Sequence, residues 1–414
     1  MPPQPSTEAL RETPAAAPID VDQRIHTLDI LRGLALFGMI LVHFHQNMRL
    51  EVGGIESVIP WGVWIFVEEK AWGTFAFLFG VGFAVLLRRL EARGDPVALI
   101  YLRRLAALAL FGIVAQVGFG FHILFEYAYW GVALLFIRRW STRQLLWVAG
   151  LSMCAWNVIS EARALYAWWA ASPPPPPPPG LALYRAMTEA AQHGSYSALL
   201  AARWAIFVRG LPHDWRALVP GMNLTLFILG LLALRHGVLE QPKRHLRLIR
   251  GWMIFGASSW ALSWFMMLVV RPRLPQTWNP DVQWPLAGAL GLVQDQLLCL
   301  TYIGAMVLLL AYRPQWTARL RLFGVAGRMA LTNYMVQIVV LDVLASGYGF
   351  GLKLRPYVYV LAAVLLFSAE VALSRAWLAR FRFGPLEWLW RSITYARWQP
   401  LRRQPSATLT PAAA

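Results

Sequence analysis

Arg32 and His43 lie in one apolar run, Leu28-Asp-Ile-Leu-Arg-Gly-Leu-Ala-Leu-Phe-Gly-Met-Ile-Leu-Val-His-Phe-His, with ten residues between them. An ionisable group inside a bilayer is costly; it usually faces a bundle interior and marks a reaction or transport path. As helix, eleven steps of about 1.5 Å separate the two α-carbons by roughly 16 Å along the axis. Arg32 then sits near one membrane face and His43 toward the other, so one buried device touches both sides. Imidazole titrates near working pH and suits general acid–base chemistry. The plainer alternative is a histidine hydrogen-bonded to a neighbouring helix. Arg32 either binds an anionic group or anchors the helix end, paired with Asp29 three residues earlier. His45 points away from His43, so the two are not a helical metal pair, and His45 reads as structural.

Asp295 falls about nine residues into the apolar stretch 286–312, roughly 14 Å from its outer end. It either orients His43, as a carboxylate orients the base of a hydrolase triad, or is a buried hydrogen-bonding strut. His122 and Glu126 lie near a short hairpin; they complete an acceptor pocket or form an interfacial turn. Asn333, Tyr334 and Gln337 share a helix face by the three-and-four rule, on a helix that Arg328 begins. Hydrogen bonding between helices is the default for them, and a part in a substrate tunnel is the alternative.

Ten apolar segments are long enough, or nearly so, to carry these residues across a bilayer core of about 30 Å. They fall near 27–47, 59–87, 98–120, 122–137, 144–170, 217–235, 249–270, 286–312, 325–346 and 356–379. The expected class is all-α: a polytopic membrane protein with about ten transmembrane helices. Gly33 and Gly38 permit close helix approach in the first. Alternate connections, among them those with Arg88, Arg89, Arg104, Arg138, Arg235, Lys243 and Arg328, hold most of the 38 Lys and Arg residues. That bias predicts both termini on the cytoplasmic side. Residues 1–23 read as a disordered cytoplasmic N-terminus, 24–395 as one membrane domain and 396–414 as a cytoplasmic tail. The longest external segment, about 171–216, opens with seven prolines, Pro173 to Pro179. They form a stiff spacer of roughly 22 Å, followed by amphipathic sequence able to lie on the outer surface as a lid. Trp388 and Trp390 read as interface anchors.

The composition excludes several classes. The chain is 58% hydrophobic and 14% charged, with mean hydropathy +0.48, whereas soluble domains carry nearer 25% charged residues. The net charge of +17 sits at the ends of apolar runs, which points to membrane lipids and away from nucleic acid. Two cysteines, Cys154 and Cys299, within apolar runs make neither a disulfide framework nor a metal motif. The N-terminus lacks a signal-peptide core, so the first helix reads as an uncleaved anchor.

Five ordered motifs carry a resemblance. The run from Leu28 to Met39 resembles the first helix of the YeiB-like family, domain of unknown function 418. Trp72-Gly-Thr-Phe-Ala-Phe-Leu-Phe-Gly-Val-Gly-Phe resembles that family's second-helix motif, and His122-Ile-Leu-Phe-Glu-Tyr its short hairpin. Gly327-Arg-Met-Ala-Leu-Thr-Asn-Tyr-Met-Val-Gln resembles its C-terminal signature, and Gly384-Pro-Leu-Glu-Trp-Leu-Trp-Arg its closing tail. The resemblance spans about residues 24–395. It extends to a wider set of transmembrane acyltransferases, in which polysaccharide O-acetyltransferases carry an Arg, a ten-residue gap and a His in the first helix. YeiB-like proteins often have Asn where this chain has His43 and Asp where it has His122, so His43 moves the chain toward the active acyltransferases.

The resemblance implies transfer of an acyl group, in the first instance acetyl, from cytoplasmic acyl-CoA to an envelope glycan, lipid or small molecule. His43 would be the base, with Asp295 behind it. Arg32 and Arg328 would bind the donor, and His122, Glu126, Asn333, Tyr334 and Gln337 would line the substrate path. No tightly bound cofactor and no metal are expected, and acyl-CoA is the co-substrate. The expected location is a bacterial cytoplasmic membrane. A transporter or exporter, or a non-catalytic protein that keeps the fold, are the alternatives. The sequence leaves the oligomeric state open.

Overall fold

A computed structural model describes residues 26–121, 123–169, 180–213, 221–273 and 297–403. The described residues are helical apart from turns and two isolated bridges, Arg49 to Leu354 and Phe381 to Arg402. The helices are α1 His26–Met48, α2 Val58–Phe66, α3 Lys70–Arg93, α4 Val97–Ile113, α5 Ile123–Ile137, α6 Thr142–Trp169, α7 Gly180–His193 and α8 Tyr196–His213. There follow α9 Met222–Arg235, α10 Leu246–Phe265, α11 Leu298–Tyr312, α12 Gln315–Arg319 and α13 Arg321–Arg328. The chain ends in α14 Ala330–Ala345, α15 Pro356–Arg380 and α16 Pro385–Tyr395.

Among the described residues, five helical stretches are long and apolar enough to cross a membrane, and six if α13 and α14 count as one. Shorter apolar helices stand at Ile123–Ile137, Met222–Arg235 and Leu298–Tyr312. The chain is therefore an all-helical, multi-pass membrane protein. The proline run lies outside the described residues, as does the first part of the segment expected at 286–312. Beyond the prolines the segment is helical, as α7 and α8.

Two expected spans are broken. The stretch 59–87 divides into α2 and α3 at Val67–Glu69, where Glu69 has φ +68°, a conformation that costs a side-chain-bearing residue free energy. The stretch 325–346 divides into α13 and α14, bent by 83° at Met329. No proline marks that break. It is held because Glu387 at the start of α16 binds the free amides at the start of α14: its carboxylate accepts from Leu331 N at 2.6 Å, Thr332 N at 3.0 Å and the Thr332 hydroxyl at 2.6 Å. A helix end inside a bilayer needs such partners.

Fifteen of the 23 residues of α1 are buried, on all sides of the helix, so it is the axis of the bundle. Backbone-to-backbone contact at glycines fixes its neighbours. A Cβ on Gly33 would strike the Phe323 carbonyl of α13, and one on Gly327 would strike the Asp29 carbonyl of α1. Gly38 packs on Ala71 of α3, as its small size allows. The same reciprocal arrangement joins α3 to α9, where Gly80 meets the Phe227 carbonyl and Gly230 the Phe77 carbonyl. Small residues of this kind let membrane helices approach closely and gain dispersion contacts. The last described residues fold back: Trp398 stacks on Trp388 with centroids 5.1 Å apart, and Trp388 Nε1 donates to the Gln399 carbonyl at 2.7 Å.

These contacts make a sharp expectation for stability. Gly80→Ala and Gly230→Ala should each lower the thermal midpoint in detergent, at a cost of about 1–3 kcal/mol for overpacking against backbone that cannot turn aside. Gly251→Ala in α10, where nothing stands within 4 Å of an added Cβ, should leave the midpoint unchanged or raise it. Equal midpoints for all three variants would overturn the assigned helix crossing.

Candidate active site

A cavity of about 540 Å³ opens between α1, α3, α4, α5, α13, α14 and α16. Along α1 it runs from Leu28 to Met39, and along the opposed α3 from Arg89 back to Phe75. The eleven steps along α1 are roughly 16 Å. At one end six arginines line it: Arg32, Arg88, Arg89, Arg104, Arg328 and Arg391, facing the carboxylates Asp29, Glu240 and Glu387. Its middle is apolar, walled by Leu78, Phe79, Phe83 and Leu86, and its far end reaches Ile123, Leu124, Tyr127 and Tyr334. A positive mouth on an apolar shaft suits an elongated ligand with a polyanionic head and a lean tail.

The mouth is ordered by its own contacts. Arg32 Nη1 donates to Asp29 Oδ1 at 2.8 Å, the pairing its spacing predicted, while the residue still faces the cavity. Arg88 pairs with Glu240 at 2.8 Å. The Arg104 guanidinium lies 3.8 Å over the Trp390 ring, and Trp390 Nε1 donates to the Arg104 carbonyl at 2.9 Å. Trp390, expected as an interface anchor, also lines this cavity. The Gly384–Pro385 start of α16 sets that helix against α14, where Leu386 N donates to the Thr332 hydroxyl at 3.1 Å. Burial pushes the Glu387 carboxyl up, against the opposing pull of its bonds from Thr332 and Leu331.

His43 is 2% exposed. Its ring stands 4.4 Å from that of Phe121 and 6.3 Å from that of Tyr334, between centroids. His43 itself is not in the cavity wall; Tyr334 is, and so joins the two. His45 meets the Tyr359 hydroxyl and Arg49, each at 3.2 Å, in keeping with a structural part. Glu126 accepts from Asn223 Nδ2 at 3.2 Å and lies within electrostatic reach of Tyr334. Tyr127 donates its hydroxyl to the Trp72 carbonyl at 2.9 Å.

The trio on α14 divides. Asn333 Nδ2 donates to the Ala326 carbonyl at 3.1 Å and to Ser374 Oγ at 3.0 Å, and Gln337 Nε2 donates to Glu370 Oε2 at 3.0 Å. Both therefore bind helices to one another, while Tyr334 faces the cavity. Arg328 stands in the mouth with Arg32. Asp295 and His122 lie outside the described residues. Among the described residues no cluster of three His, Cys, Asp or Glu side chains could hold a metal.

Several buried ionisable residues were not singled out from the sequence. Lys70, 1% exposed, starts α3 beside the strained Glu69. Glu370, 2% exposed, lies in α15. Arg203 of α8 and Asp342 of α14 form a buried pair at 2.5 and 3.0 Å, with side chains 8% and 5% exposed. Arg203 also donates to the Gly118 carbonyl at 2.7 Å, and Asp342 accepts from Ser346 Oγ at 3.0 Å and the Tyr348 hydroxyl at 2.9 Å. Burial, then the Asp342 carboxylate, push the Tyr348 phenol up to about 12, so it remains a donor throughout the physiological range. Lys70, Glu370 and Asp342 fall inside apolar spans, which was the available signal. Arg203, outside the expected apolar spans, gave none.

Residues 24–200 match the family described as "Heparan-alpha-glucosaminide N-acetyltransferase, catalytic", and residues 233–397 match "Protein of unknown function (DUF418)". The chain is 29% identical to the uncharacterized protein YxaH of Bacillus subtilis (strain 168), covering 94% of this chain and 98% of that one. It is 24% identical to the uncharacterized protein YeiB of Escherichia coli (strain K12), over 90% and 96% of the two chains. No solved structure matches. The chain is thus a relative of the YeiB-like proteins over nearly its whole length, and its first part is related to the transmembrane acyltransferases.

Two tests follow from the buried charges. Arg203→Ala leaves the Asp342 carboxylate uncompensated and should cost about 3–5 kcal/mol, read as a fall in thermal midpoint. The double change Arg203→Met with Asp342→Leu should lose much less; an equal loss would refute the pairing. For Glu387 the sign is opposite to that of a salt-bridged carboxylate. Its raised value means that the folded state holds the proton more tightly than the unfolded chain. Its contribution favours folding at low pH and is lost as pH climbs from the ordinary carboxylate range through the raised value. Glu387→Gln should flatten that dependence, and Glu387→Ala should cost about 1–3 kcal/mol by stranding buried donors.

Proposed function

We propose that this relative of the YeiB-like proteins is a membrane-bound acyltransferase. It takes an acyl group from acyl-CoA at the arginine-lined mouth and passes it to an acceptor on the His43 side. One observation carries the reading: a single cavity joins six arginines at one end to Tyr334, the ring neighbour of His43, at the other. The first-half likeness to an N-acetyltransferase catalytic family supports it.

The polyphosphate head of a CoA thioester meets Arg32, Arg328 and Arg391, which offer planar, permanently charged forks. The slender pantetheine arm occupies the apolar shaft. His43 takes a proton from the acceptor hydroxyl or amine as the acceptor attacks the acyl carbon. The C–S bond breaks, and the departing thiolate takes that proton from the imidazolium. In this reading Asp295 orients His43, and His122 and Glu126 receive the acceptor. Both termini and the arginine mouth face the cytoplasm of a bacterium, about ten spans cross its inner membrane, and the acceptor is an envelope glycan, lipid or small molecule.

Acetyl-CoA binding to detergent-purified protein tests the donor side. Wild type should bind saturably, and Arg32→Ala should weaken binding about tenfold or more, as expected for one lost charge-assisted contact. His43→Ala should keep binding and abolish CoA release. A folded wild type that binds no acetyl-CoA would sink the reading and turn attention to transport.

A further inference from the structure

Resting on that reading, we propose that Tyr334 is a catalytic residue: its phenol donates a hydrogen bond to the carbonyl oxygen of the bound acyl thioester. Tyr334 is 5% exposed and lines the far end of the cavity. Its hydroxyl is buried and has no hydrogen-bond partner among the described residues. Buried phenols ordinarily find one. The contrast with Tyr127, a second phenol at that end, is direct, because Tyr127 spends its hydroxyl on the Trp72 carbonyl at 2.9 Å.

The backbone that carries Tyr334 is fixed on both sides. Asn333 is tied to Ser374 and the Ala326 carbonyl, and Gln337 to Glu370. These bonds fix the rotation of the helix and hence the direction in which the Tyr334 Cα–Cβ bond leaves it. The Tyr334 ring stands 6.3 Å from the His43 ring, centroid to centroid. A thioester carbonyl held at the cavity end therefore meets the Tyr334 phenol, whose ring is the neighbour of the base His43.

The chemistry balances with these two groups. His43 accepts the acceptor's proton while the acceptor oxygen or nitrogen forms a bond to the acyl carbon. The carbonyl π pair moves onto oxygen, where the Tyr334 O–H holds the developing charge without giving up its proton. The pair returns, the C–S bond breaks, and the thiolate leaves as CoA-SH after taking the proton from His43. A donor already in place for charge that develops at that oxygen lowers the barrier.

Tyr334→Phe removes no hydrogen bond from the fold, so it should keep the wild-type thermal midpoint or raise it. The first readout is the infrared band of isotope-labelled acetyl-CoA bound to the full-length protein in detergent. The thioester carbonyl stretch should lie lower on wild type than on Tyr334→Phe, with acetyl-CoA affinity changed less than about threefold. Tyr127→Phe, which costs a structural bond, should lower the midpoint and leave the band at its wild-type position. Release of CoA from acetyl-CoA should fall about 10²- to 10³-fold in Tyr334→Phe. Binding with the same carbonyl band in wild type and Tyr334→Phe would overturn the assignment alone. Absence of acetyl-CoA binding to wild type would instead overturn the acyltransferase reading and this assignment with it.

Discussion

The break at Met329 is the constraint from which the rest of the site follows. A continuous helix over 321–345 would lie along α1 for its whole length and close the space beside it. An 83° bend instead lays α13 against α1 and sends α14 off at a steep angle, touching α1 through Tyr334 and His43. The gap between them becomes part of the cavity, and Gly327, Arg328, Ala330, Leu331 and Tyr334 all line it. Breaking a helix exposes amides that a bilayer cannot hydrate. Glu387 meets that cost, and because it sits on α16 it brings Trp390 and Arg391 to the cavity wall with it. The cap and the mouth are thus one construction.

Six arginines in one mouth repel each other unless something offsets them. Asp29 and Glu240 each take one, and the Trp390 face takes Arg104. Each partner leaves the cation at the surface of the cavity while fixing its direction. The remaining positive excess is a standing attraction for a multiply charged anion, strengthened by the low dielectric of the surrounding helices. The same field repels cationic ligands, so the mouth selects by charge before shape matters.

Much of this was visible in the sequence, in uneven ways. The ten-residue gap between Arg32 and His43 placed them on one buried helix with opposite ends of the bundle in reach, and α1 is that helix. Hydropathy gave the helices. Arg88, Arg89 and Arg104 were read only as markers of orientation, yet they also line the cavity; a single sequence cannot separate those two uses of a terminal arginine. The break at Met329 left no trace, because Arg328-Met329-Ala330 contains no helix breaker and the stabilising partner lies nearly sixty residues later. Asp342 and Glu370 obeyed the rule that picked out Asp295, but their partners Arg203 and Gln337 could be found only in three dimensions. The reciprocal glycines of α3 and α9 were equally silent, since only pairing shows which glycines face a backbone.

The division of labour on α14 shows how position around a helix sets role. Asn333 and Gln337 are four residues apart and so stand one above the other. Their bonds to Ser374 and Glu370 of α15 fix the rotation of α14 about its axis. Tyr334 is one step, about 100°, round from Asn333, so whatever turns those two amides toward α15 turns the phenol toward α1 and the cavity. The polar seam and the phenol are therefore mechanically coupled without touching. Were either amide to leave α15 for a ligand, α14 would lose the anchor that aims Tyr334 at His43. That coupling is why the amides serve as struts and the phenol alone of the three lines the cavity.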